Sequence, residues 1–121
     1  MRTRPDIVTH LKLAHSVVDI DEAGYLRDPA DWSREFAEHV ALQEGIEATE
    51  THWQIIAFMR AYLDEHGIAP DSRFTIKFLG KTNGLDKTMA RRQLFDIFPY
   101  GYVKQACKMA GMKQPRAWST G

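Results

Sequence analysis

One side chain of this sequence is an evident nucleophile: Cys107, the single cysteine among 121 residues. The thiolate is the reactive form of cysteine, and nearby cations lower its pKa. Lys108 is the next residue. Lys104 lies three residues before it, on the same face if the segment is α-helical. No histidine follows His66, so no base stands near in sequence for a papain-like Cys–His pair. The plainer alternative is a buried thiol acting as a small hydrophobe. The five histidines (His10, His15, His39, His52 and His66) have no zinc-ligand spacing with the cysteine and read as surface or capping residues. No metal or cofactor site is expected. The sequence has no glycine-rich phosphate loop and no nucleophile elbow, and its carboxylates are dispersed.

A second chemistry is basic. Residues 1–72 hold 14 Asp or Glu against 6 Lys or Arg, and residues 73–121 hold 2 against 10, so a net charge of zero hides −8 and +8. The two parts either face and neutralise each other, or the basic part meets an anionic partner. Lys87 and Arg91 are i, i+4 partners with Arg92 beside them. Two helices near 72–79 and 86–98 would form a helix-turn-helix able to contact phosphates or base edges. The intervening polar loop, Gly80 to Leu85, is longer than such motifs use. A solvated basic face is the simpler expectation, with DNA binding possible but not favoured.

The elements that must position these groups follow from periodicity. Residues 1–14 fit no period and read as an N-terminal extension. His15–Ile20 is β-branched and reads as a strand, Asp21–Gly24 as a turn, and Tyr25–Arg27 as the return, giving a hairpin near 15–27. Phe36, Ala37, Val40 and Ala41 recur at helical spacing over 33–43, with Gly45 as the stop. Thr49 can cap a helix to about His66, whose wide apolar face makes it the central core helix, with Trp53, Ile56 and Met59 buried. A last helix spans about Tyr102 to Ala110. Residues 112–121 read as a flexible arm. The expected fold class is mainly α: a small helical bundle with an N-terminal β-hairpin and a C-terminal arm, one domain over 1–121.

Composition bounds the class. A chain of 44% hydrophobic and 26% charged residues is neither disordered nor a disulfide scaffold. It has no membrane-length apolar run, and no apolar stretch follows the N-terminal Met1–Asp6, so no secretory signal is expected. A single thiol cannot close an intramolecular disulfide, and the default is a cytoplasmic protein with no membrane partner.

Several segments then line up in order: Asp21-Glu22-Ala23-Gly24-Tyr25-Leu26, Asp31-Trp32, Glu44-Gly45-Ile46-Glu47, His52-Trp53 and Ile68-Ala69-Pro70 through Arg73 and Lys77. Leu94-Phe95-x-x-Phe98-Pro99-x-Gly101, Lys104-Gln105-Ala106-Cys107-Lys108-x-Ala110-Gly111 and Pro115 complete the set. Over roughly 17–115 the chain resembles the DsrC/TusE family of sulfur-carrier proteins, also described as the gamma subunit of dissimilatory sulfite reductase. The resemblance implies a helical domain that carries sulfur between larger enzymes on a swinging C-terminal arm, as a persulfide or as a trisulfide between two arm cysteines. It implies sulfurtransferase- or sulfite-reductase-type partners rather than independent catalysis. The family's principal carrier is a penultimate cysteine, where this sequence has Thr120; only the upstream family cysteine is matched, by Cys107.

Two functions follow as expectations. In the first, Cys107 accepts or passes sulfur, Lys104 and Lys108 favour its thiolate, and Arg73 and Lys77 supply a basic surface near the arm. In the second, the chain is a regulatory or adaptor relative that lost the carrier cysteine and binds a protein or DNA through its basic half, with Lys87, Arg91 and Arg92 as the nucleic-acid face. Exposure of Cys107 separates them.

Overall fold

The structure, a computed structural model, describes residues 8–114. Strands β1 (Thr9–Lys12) and β2 (Val17–Ile20) pair antiparallel, with Thr9 opposite Ile20 and Lys12 opposite Val17. Four helices follow: α1 (Arg34–Glu44), α2 (Glu50–His66), α3 (Ser72–Asn83) and α4 (Lys87–Ile97). The chain then winds through a π-helical segment, Tyr102–Cys107. The mainly α class with a small antiparallel sheet stands as read from the sequence. Of the expected C-terminal arm, Met112 is buried in the core, and residues 115–121 lie outside the described residues.

Local chemistry sets the helix limits. The Ser33 hydroxyl accepts from the Phe36 amide at 3.1 Å, and the Asp86 carboxylate accepts from the Met89 amide at 2.8 Å, satisfying amides that a helix start leaves unpaired. At α2 the His52 ring completes the cap, its Nδ1 accepting from the Thr49 amide at 2.9 Å. The ring proton therefore sits on Nε2, which donates to the Ile97 carbonyl at 2.9 Å and ties the start of α2 to the end of α4. His52 is thus a capping residue that is also buried.

Three sequence expectations are corrected. The hairpin lies earlier than 15–27: β2 pairs with Thr9–Lys12, inside the stretch read as an extension. The return after Asp21–Gly24 is one bridge, Ile20 to Leu26. The turn itself forms as expected, with the Asp21 carboxylate accepting from the amides of Ala23 and Tyr25. Trp53 is half-buried rather than largely buried, because the inward face of α2 is His52, Ile55, Ile56 and Met59; its ring lies under the Arg34 guanidinium at 4.1 Å. Gly80 does not end α3. The helix continues to Asn83, and Gly80 is small for packing: a Cβ there would meet the Leu85 carbonyl oxygen at 2.9 Å. The link from α3 to α4 is therefore only Gly84–Asp86, within the length of a helix-turn-helix connection.

The core is one cluster running from Val18 and Leu26 through Phe36, Ile55 and Leu79 to Phe98, Tyr102 and Met112. The segment carrying Cys107 is part of that core, not an appendage to it. No helix among the described residues is long and apolar enough to cross a membrane.

Candidate functional site

Cys107 is fully buried, at 0% exposure. The segment around it is clamped from several elements. The Tyr25 hydroxyl donates to the Val103 carbonyl at 3.0 Å. The Trp32 indole donates to the Met109 carbonyl at 2.9 Å, and its ring lies so close to Gly111 that no Cβ fits there. Arg60 donates to the Ala110 carbonyl at 3.1 Å and to the Pro29 carbonyl at 2.9 Å, its guanidinium stacked over the Trp32 ring. The Tyr102 hydroxyl donates to the Pro70 carbonyl at 2.8 Å, so the Thr75 hydroxyl, 2.8 Å away, must be the donor to Tyr102. Gln105 bridges the Tyr100 amide and the Glu44 carboxylate.

The electrostatics oppose ionisation. Burial pushes the Cys107 thiol up from 9.0 to about 12. Burial also raises Tyr25 and Tyr102, each further opposed by the nearby Cys107 if that thiol ionises. The two lysines expected to favour the thiolate are placed otherwise. Lys108 reaches Glu44 at 4.0 Å and lies over the Tyr25 ring at 5.0 Å, while Lys104 is exposed. The reason is the winding. An α-helix would align residues 104 and 107, but the π-helical segment closes i to i+5 bonds, so three positions fall short of a turn. Desolvation prevails over both cations.

The basic residues converge elsewhere. Arg73, Lys77 and Lys81 of α3 and Lys87 and Arg91 of α4 line one groove of about 620 Å³, floored by Ile76, Gly80 and Leu85. Arg73 and Lys77, read from sequence as one surface, and Lys87 and Arg91, read as another, are two walls of the same groove. Arg92 is exposed but lies outside its lining. Arg73 is held by Asp71 at 2.8 Å, and that guanidinium keeps the Asp71 carboxyl below the usual range. No ion pair between described residues engages Lys77, Lys81, Lys87 or Arg91.

Sequence reasoning missed Lys81 because α3 was ended at Leu79; its i, i+4 spacing from Lys77 was the available signal. It also missed the clamp made by Tyr25, Trp32, Arg60 and Tyr102, whose contacts are long-range. Among the described residues no three His, Cys, Asp or Glu side chains converge as a metal site would need.

Comparison with known proteins gives a consistent result. A family model described as "DsrC like protein" matches residues 12–117. The protein named Sulfurtransferase TusE from Yersinia pestis is 38% identical over 105 residues, covering 87% of this chain and 95% of the relative. Its namesake from Buchnera aphidicola subsp. Schizaphis graminum is 40% identical over 106 residues, 88% of this chain and 92% of that one. Among solved structures, Allochromatium vinosum DsrC superposes with a TM-score of 0.80 at 37% identity, covering 93% of this chain and 99% of that one. The oxidized gamma-subunit of the dissimilatory sulfite reductase from Archaeoglobus fulgidus gives 0.78 at 31% identity, covering 91% and 99%.

Proposed function

The chain belongs to the DsrC-like family, and from that premise we propose that it serves a sulfur relay, accepting and passing sulfur as a persulfide on Cys107. The observation that carries the reading is the family match across the Cys107 segment, in a sequence with no other thiol. Its partners are proteins of the sulfurtransferase or sulfite-reductase type, the classes named for its relatives. A reducing, cytoplasmic setting suits a lone thiol.

The step needs no external oxidant. The Cys107 thiolate attacks the terminal sulfur of a donor protein's cysteine persulfide. A Cys107 Sγ–S bond forms and the donor's S–S bond breaks. The electron pair leaves with the donor sulfur, which takes up a proton in place of the one Cys107 gave to solvent. Delivery to an acceptor thiolate repeats the exchange in the other direction. Burial sets the condition for it: the segment 102–112 must part from Tyr25, Trp32 and Arg60 before the sulfur is reachable. Opening also rehydrates the thiol and returns its pKa toward the ordinary value.

The same burial favours a second reading, a relative that docks relay partners without carrying sulfur itself. The two separate in one experiment. Reduced protein is incubated with a sulfurtransferase and its sulfur donor and weighed intact. The carrier gains one sulfur atom, removable by reductant and absent in Cys107→Ser. A chain that gains none, and whose Cys107 reacts with iodoacetamide only after unfolding, is the docking relative.

A further inference from the structure

The groove between α3 and α4 has a composition that selects its occupant. Lys77 and Lys81 stand on one wall, Lys87 and Arg91 on the other, all four exposed and free of ion pairs among the described residues. Arg73, the fifth cation, already holds Asp71 at the start of α3. Among the described residues no carboxylate lines the groove, in a protein with as many acidic as basic residues. The strip between the cations is apolar: Leu85 and the Gly80 backbone are part-exposed, with Ile76 in the core beneath them. At 1.5 Å per residue the lining stretch of α3, Arg73 to Lys81, makes a wall about 12 Å long, about two turns of a docked helix.

We propose that this groove is a docking site for an acidic, amphipathic segment of a partner protein, its carboxylates meeting Lys77, Lys81, Lys87 and Arg91 and its apolar side chains covering Leu85 and the aliphatic stems of the lysines. A cationic wall alone suits any anion, nucleic acid included. The apolar strip decides between them: a duplex backbone would leave the part-exposed Leu85 and the aliphatic lysine stems uncovered, whereas an amphipathic helix buries them. Flexible lysines around an apolar strip also suit a partner bound and released in turn, since rim charges steer encounter more than they hold the complex. The inference stands on the chemistry of the groove and needs no sulfur on Cys107, so either reading can fail without the other.

The test uses the full chain and a fluorescein-labelled peptide of about 15 residues, with Glu and Leu on one helical face at i, i+4 spacing. Binding is followed by anisotropy at about 50 mM salt, where exposed charges are weakly screened. Micromolar binding is expected, weakened about tenfold or more in Lys77→Glu/Lys87→Glu and about tenfold when the peptide's Leu residues become Gln. Lys104→Ala should leave it unchanged. A thermal melt checks that the exposed substitutions leave the fold intact. The proposal is overturned if the acidic peptide does not bind at about 1 mM. It is equally overturned if a 20-base-pair (about two helical turns) DNA duplex binds more tightly and loses affinity in the same double variant. Self-association of the chain that vanishes in that variant would also overturn it, because the acidic part of a second copy would then be the occupant.

Discussion

The Cys107 segment and the α3–α4 groove hold the two chemistries of this molecule under opposite conditions. Around Cys107 the buried polar groups are paired: Glu44 takes Lys108 and Gln105, carbonyls take Arg60, and the thiol is dry. In the groove four cations stand in water with no ion-pair partner among the described residues. The first region is arranged to stay shut and the second to be met. On the readings proposed above, reactivity and recognition are separated: a partner would dock on α3 and α4 without touching the sulfur, and exposing the sulfur would require work against the clamp. Exposed cations add little to folding stability, whereas buried hydrogen bonds and packing add much, so the two regions respond differently to substitution.

The largest expected effect is alkaline. The thiol's pKa rises from 9.0 in the unfolded chain to about 12 when folded, so the protonated folded form is favoured. Its contribution is fully present below pH 9 and is lost as pH rises to about 12, amounting to at most about 4 kcal/mol. Urea denaturation at pH 8, 9 and 10 should show falling stability, with the slope between 9 and 10 reduced in Cys107→Ala; the buried tyrosines add their own loss at higher pH. An unchanged slope would mean that the thiol is already solvated.

Next is Trp32→Ala, which removes the indole bond to Met109, the platform under Arg60 and the packing on Gly111. For this half-buried ring about 2–3 kcal/mol is expected, measured by thermal or urea unfolding, with faster iodoacetamide labelling of Cys107. Tyr102→Phe keeps the ring but strips the Pro70 carbonyl and Thr75 hydroxyl of their partner, for a loss of about 1–3 kcal/mol. The smallest effect belongs to the groove: Lys81→Ala should change stability by less than about 0.5 kcal/mol. A loss as large as that of Tyr102→Phe would blur the distinction between the two regions.

What the sequence makes legible divides along the same line. Helix ends depend on adjacent residues, so Ser33, Thr49, Asp71 and Asp86 as starts and Gly45 and Gly67 as stops are readable directly. Gly80 misleads because glycine serves two purposes, breaking a helix and admitting a close neighbour, and only the approach of Leu85 shows which applies. Thr9–Lys12 escapes notice because three of its four residues are exposed, leaving little alternation to read. The groove is legible as two pairs of cations but not as one site, since their union depends on a three-residue link that the Gly80 misreading lengthened. Cys107 is legible as a candidate by its chemistry alone. Its orientation is not, because the π winding that turns it inward leaves no periodic trace in six residues.

The central claim is that Cys107 carries sulfur and is reached by opening of its clamped segment. The most direct measurement is the rate of sulfur loading from a sulfurtransferase persulfide, followed by intact mass, in wild type and Trp32→Ala side by side. One sulfur atom per chain is expected in both and none in Cys107→Ser. The Trp32→Ala rate should rise by the same factor as its iodoacetamide labelling, about thirtyfold for a clamp weakened by 2 kcal/mol. Sulfur gained by neither protein, with the donor persulfide intact and Cys107 fully alkylated once unfolded, would contradict it.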